Sequence, residues 1–215
     1  MVHGGGVDPI GTVRRTIGRD ELDVLLSLVL DHVDPDAEGV PWRLVGTASA
    51  LAQGVALPVG DVDVLVASRG DVDQAAAALS GYPCSEPPRW LPDAQQYFVR
   101  FVIGQVEVEI STVEQAVDTD TSECAGRGPW EHHVPVGFGR HVLSVVGLEL
   151  RLVSEIVRER PDRYVPLLEH LRSCRADLPL VHRAMRDRGV DPAVRDRVMD
   201  RLRDVPGGML TRAPR

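Results

Sequence analysis

The chain has 215 residues, 43% of them hydrophobic and 26% charged, values that exclude wholesale disorder and leave room for one good-sized domain or a domain with a helical appendage. All 24 basic residues are Arg, set against 32 acidic ones for a net charge of −8. That balance argues against a general nucleic-acid coat, which needs a positive footprint, and the lack of lysine excludes lysine Schiff-base chemistry.

The elements follow in chain order. Residues 1–10 read as a leader without the charged head and apolar stretch of a signal peptide. Residues 17–32 carry apolar residues at the spacing of a buried helix. A short strand is expected over 41–46, a short helix over 47–53 and a turn at 57–60. Asp61-Val62-Asp63-Val64-Leu65-Val66 alternates and then turns wholly apolar, as a strand entering a core does. Residues 71–79 suggest an Ala-rich helix capped by Asp71. The proline-rich residues 83–92 read as a loop, and 97–103 and 106–110 as strands joined by a hairpin at Gly104-Gln105. Residues 118–139 read as a polar loop. After an apolar stretch at 142–146, helices are expected over 147–159, 161–172, 178–188 and 192–203, with Pro161 at a first helical position. This order implies an α/β (α+β) fold: a small mixed sheet with helices on one side over residues 1–120, then a loop and a C-terminal helical region over 121–215.

Charge divides along the same line. Residues 1–120 hold 7 Arg and 19 acidic residues; residues 121–215 hold 17 Arg and 13 acidic residues. The first part suits metal cations or cationic substrates, and the second suits phosphates or the first part itself. Cys84, Cys124 and Cys174 are odd in number and form no CxxC pair, which suggests free thiols in a reducing compartment. The longest apolar stretch, 25–30, is too short to span a bilayer. A cytoplasmic protein without a membrane partner is the expectation.

Three segments carry the chemistry. Val45-Gly46-Thr47-Ala48-Ser49 lies at a strand-to-helix turn; Asp61-Val62-Asp63 opens a strand; Val106-Glu107-Val108-Glu109-Ile110 lies on a later one. Residues i and i+2 of a strand share a face, so Asp61 and Asp63 project together. Two such carboxylates repel unless a positive charge lies between them, and a divalent ion is the usual partner for hard oxygen ligands. Glu109 or Glu107 would complete a site for two ions about 3.5–4 Å apart. Gly46 lets the backbone approach a phosphate, the helix beyond it turns amide N–H groups the same way, and Thr47 and Ser49 add hydroxyls.

These segments resemble the nucleotidyltransferase superfamily that includes DNA polymerase beta, the minimal nucleotidyltransferases and the aminoglycoside and lincosamide nucleotidyltransferases. Val45-Gly46-Thr47 resembles its hydrophobic-Gly-Gly/Ser turn with Thr for Ser; Asp61-Val62-Asp63-Val64 resembles its Asp-x-Asp/Glu strand; Val108-Glu109-Ile110 or Val106-Glu107-Val108 resembles its third carboxylate, with Glu where Asp is usual. The likeness spans residues 40–112. It implies transfer of a nucleoside monophosphate from a nucleoside triphosphate, ATP foremost, to an acceptor hydroxyl. Asp61, Asp63 and Glu109 would be catalytic and hold two Mg²⁺; Gly46, Thr47 and Ser49 would bind the phosphates. Arg43, Arg69, Arg100 or Arg151 would serve where relatives use lysine. The acidic first part suits a cationic acceptor such as an aminoglycoside, with a tRNA end or a protein hydroxyl as alternatives. A catalytically inactive nucleotide-binding or protein-interaction module is the reading of another class. The whole reading requires the three carboxylates to converge with none neutralised by a permanent arginine.

The remaining motifs have plainer readings. Glu131, His132, His133, His141 and Cys124 match no zinc spacing. The loop 126–133 could line an acceptor pocket or anchor Trp130 in the core. Arg158 with Asp162, and Arg183 with Asp187, are spaced as i,i+4 pairs on solvated helix faces.

Overall fold

A computed structural model describes residues 15–33, 42–114, 123–124 and 126–204. The expectations for residues 1–10 and for the first part of the polar loop, 118–122, lie outside these. Within them run α1 (Arg19–Val33), β1 (Arg43–Val45), α2 (Gly46–Ala52), β2 (Asp61–Leu65), α3 (Arg69–Ala78), β3 (Cys84–Leu91), β4 (Gln96–Ile103), β5 (Val106–Ser111), α4 (Gly128–Glu131), β6 (His133–Phe138), β7 (His141–Val146), α5 (Leu148–Val157), α6 (Pro161–Cys174), α7 (Leu178–Asp187) and α8 (Pro192–Arg203). The strands form one mixed sheet in the order β3-β4-β5-β2-β1-β7-β6. β2 runs parallel to β5 and β1 parallel to β7, while the other pairs are antiparallel. The fold is α/β, as expected. β6 and β7 lie beyond residue 120, so the sheet itself runs across that position.

Strand alternation sorts the side chains. Val62 and Val64 of β2, with Val108 and Ile110 of β5, pack against Leu22, Leu26 and Leu30 of α1 and Val72 of α3 in one core. Asp61, Asp63, Glu107 and Glu109 therefore share the opposite face. Val45 and Leu65 lie on that acidic face, since Val45 pairs with Asp63 and Leu65 is two residues on. They belong to a second core, built with α5 to α8 from residues such as Leu152, Leu167, Val181 and Met199. Helices thus cover both faces rather than one, and the carboxylates look toward the helical region.

Two segments read as loops are strands. β3 contains Pro87 and Pro88, and β6 contains Pro135. Each is an edge strand, where a missing N–H costs no ladder bond. The prolines of β3 sit where its register to β4 shifts between Glu86 and Arg89. The cap of α3 is Ser68, not Asp71: Asp71 sits three residues in and completes a capping box with it. Neither expected i,i+4 arginine pair forms. Arg158 ends α5 while Asp162 opens α6, so no common helix aligns them, and Arg158 lies near Glu155 instead. Asp187 pairs with its neighbour Arg186.

Candidate active site

The β1–α2 turn runs close against Asp63. Gly46 has φ +70°, a left-handed conformation that suits glycine, and a Cβ there would stand 2.5 Å from Asp63 Oδ2. The backbone of the turn therefore abuts the Asp63 carboxylate. Ser49 is fully buried and its hydroxyl donates to the Gly46 carbonyl at 2.8 Å, so it staples the turn instead of facing a ligand. Thr47 Oγ1 accepts a 2.7 Å hydrogen bond from Arg163 of α6, and Arg151 of α5 reaches it at 3.5 Å. The helical region thus grips the turn through two guanidinium groups.

The parallel register of β2 and β5 sets Asp61 beside Glu107 and Asp63 beside Glu109. A cavity of about 170 Å³ opens on this face. Gly46, Asp63, Glu109, Glu123, Arg151 and Arg158 are among the residues lining it. Burial, followed by the charges of Asp61, Glu109 and Glu123, pushes the Asp63 carboxyl up to about 8, while Arg151 opposes the rise only weakly. Among the described residues nothing donates a hydrogen bond to that carboxylate. Glu109 is different: its Oε2 accepts from Arg100 Nη2 at 2.8 Å.

Arg151 is 2% exposed and ion-paired with both Glu123 and Glu155. Burial works against its charge, but the two carboxylates outweigh that and raise its pKa further. Arg163 has the reverse balance. Burial lowers its pKa, and the like charges of Arg160 and Arg151 add to the effect despite Glu155 and Asp162. A guanidinium crowded by its own kind gains from a nearby anion.

The sequence-predicted residues divide accordingly. Gly46, Thr47, Asp61, Asp63, Glu107 and Glu109 come to one face around one turn; Ser49 is built into the turn. Among the described residues no three His, Cys, Asp or Glu side chains stand close enough to hold a metal together, so the carboxylates share a face without closing a cage. Of the four arginines considered, Arg151 and Arg100 reach the site. Arg43 donates to the Pro129 carbonyl and stacks on Trp130, and Arg69 is tied to Glu114 over the Trp90 ring. Trp130 is packed against the second core, so the loop that carries it acts as an anchor. Arg163 and Glu123 were missed. The one signal for Arg163 was the arginine-rich junction at 158–163, which reads equally well as a solvated surface.

No family model matches this chain, and no curated protein matches it. Solved structures do. A candidate nucleotidyltransferase from Thermotoga maritima aligns over 75% of this chain and 99% of its own at a TM-score of 0.50 and 19% identity. An antigenic nucleotidyltransferase-like protein from Paracoccidioides brasiliensis aligns over 86% of this chain and 95% of its own, also at 0.50, with 9% identity. The chain has the nucleotidyltransferase fold.

Proposed function

We propose that the protein is a metal-dependent nucleotidyltransferase that moves a nucleoside monophosphate from a triphosphate, ATP foremost, to an acceptor hydroxyl. One observation carries this reading. Asp63 sits against the Gly46 turn with its carboxyl raised to about 8 by burial, Asp61, Glu109 and Glu123, which is a surplus of negative charge at the place where a triphosphate would need a cation. Two hard carboxylates spaced i,i+2 on one face fit a divalent ion such as Mg²⁺; a second Mg²⁺ would draw on Glu109. Bound there, such ions would supply charge neutralisation at the phosphoryl oxygens and the leaving pyrophosphate.

The chain's own residues do the rest. Gly46 admits the phosphates to the turn, and Thr47 offers its hydroxyl. Arg163, held on Thr47 at 2.7 Å, turns from like charges to the triphosphate and takes the part that lysine plays elsewhere. The acceptor oxygen attacks the α phosphorus in line, its bond to phosphorus forms as the bond to pyrophosphate breaks, and Glu109 takes the hydroxyl proton once Arg100 has released it. A cationic acceptor of the aminoglycoside class suits the acidic face. No described helix is long and apolar enough to cross a membrane.

The Arg100–Glu109 pair favours a second reading, a nucleotide-binding module without transfer. One pair of assays separates them. Thermal unfolding with ATP should show stabilisation that requires Mg²⁺ and vanishes in Asp63→Ala. With α-labelled ATP and candidate acceptors, label should then pass to a product in the native protein alone. Binding indifferent to metal, or metal-dependent binding without labelled product across the acceptor classes, favours the module.

A further inference from the structure

We propose that the helical region carries a second ligand site, for an organic anion with an apolar body, in the cavity where the α5–α6 junction meets the α7–α8 turn. The site is separate from nucleotidyl transfer and does not depend on it.

The cavity follows from where the C-terminal helices end. α5 closes at Val157 and α6 opens at Pro161; α7 closes at Asp187 and α8 opens at Pro192. Both short connections border one hollow of about 640 Å³, a size that suits a small molecule. Ile156, Tyr164, Leu168 and Val198 give it an apolar wall continuous with the second core. It shares no lining residue with the acidic cavity: Val157 and Glu159 line this one, and Arg158 between them lines the other.

Arg188, Arg197 and Arg201 add charge to that wall. Nη2 of Arg188 is buried and has no hydrogen-bond partner. A guanidinium only donates, and a buried charged donor left unpaired costs stability. Among the described residues none of the three arginines is ion-paired. Arg197 and Arg201 also stand i,i+4 on α8, a spacing at which like charges weaken a helix. Two carboxylates line the cavity against these three cations. Asp191 is engaged in capping α8, where its Oδ1 accepts from the backbone N–H groups of Ala193 at 2.8 Å and Val194 at 3.3 Å. Glu159 is exposed. An anion with its head on Arg188 and its body on the apolar wall supplies the missing acceptor and covers the wall together. Carboxylate and phosphate heads both match a guanidinium.

The test titrates the full chain with the fluorescent anion 8-anilino-1-naphthalenesulfonate. The native protein should bind this probe at a single site. Arg188→Gln should bind it about ten- to a hundredfold more weakly, without loss of stability in urea. Displacement by octanoate assigns a carboxylate ligand and displacement by octyl phosphate a phosphate ester, and either bears the proposal out. Octyltrimethylammonium should leave the probe in place. The proposal is overturned if the folded native chain binds no probe, as a second copy seated in the cavity would cause. It is equally overturned if Arg188→Gln binds as well as the native protein, or if the cation displaces the probe as readily as the anions do. Should Arg188→Gln fail to fold, Arg197→Glu with Arg201→Glu decides. Both positions are exposed, and reversing their charge should weaken binding about tenfold or more; equal affinity overturns the proposal.

Discussion

Gly46→Ala tests the turn and the carboxylate together. At φ +70° an alanine costs about 1–2 kcal/mol of stability. Its Cβ would lie 2.5 Å from Asp63 Oδ2 and 3.4 Å from Cγ, so the carboxylate has to rotate away. A misplacement near 1 Å in such a site costs on the order of a hundredfold. If ATP with Mg²⁺ at about 100 times its Kd stabilises the native protein by about 2.7 kcal/mol, a hundredfold weaker site retains about 0.4 kcal/mol. Gly54→Ala is the control. It also has positive φ, at +91°, but its Cβ meets only His170 Cε1, at an ordinary 3.5 Å. Urea melts with and without ATP and Mg²⁺ should show both variants destabilised and the ligand response of Gly46→Ala alone cut to about 0.4 kcal/mol. An equal ligand response in the two variants refutes the reasoning.

Other outcomes follow from the same geometry. In metal-free protein the Asp63 carboxyl is raised from 3.8 to about 8, so the folded chain keeps a proton that the unfolded chain has released. That stabilisation is complete below the ordinary carboxylate range and is lost as pH rises toward 8, by at most about 1.4 kcal/mol per pH unit. Urea melts in chelator at pH 5 and pH 8 should show native stability falling relative to Asp63→Asn; parallel curves contradict this. Arg151→Met deprives buried Glu123 and Glu155 of the guanidinium they share and should cost about 3–5 kcal/mol in the same melts. Arg163→Gln removes one charged hydrogen bond to the turn. It should weaken nucleotide binding by about 1.5–3 kcal/mol, read by calorimetry.

Much of the site was legible because it rests on period-2 alternation. Asp61 and Asp63 had to share a face, and so did Glu107 and Glu109. The hairpin at Gly104-Gln105 was legible too; both residues take positive φ. What alternation cannot say is which strand lies beside which. The parallel β2–β5 register that favours Glu109 over Glu107 as the neighbour of Asp63, and the row that brings Arg100 to Glu109, come from pairing between distant segments. β3 and β6 hid behind prolines whose meaning depends on a strand being at an edge. Arg163 hid because a surface arginine and one bonded to a turn look alike along the chain, and only the hydrogen bond from α6 to Thr47 of α2 distinguishes them.

The central claim is that the acidic face of β2 holds a divalent cation beside the Gly46 turn. A crystal grown with Mn²⁺ and a non-hydrolysable ATP analogue tests it through the manganese anomalous signal. The account predicts a peak bridging Asp61 and Asp63, with the triphosphate against Gly46 and Thr47. Nucleotide bound with no peak at these carboxylates, or bound elsewhere on the protein, would contradict it.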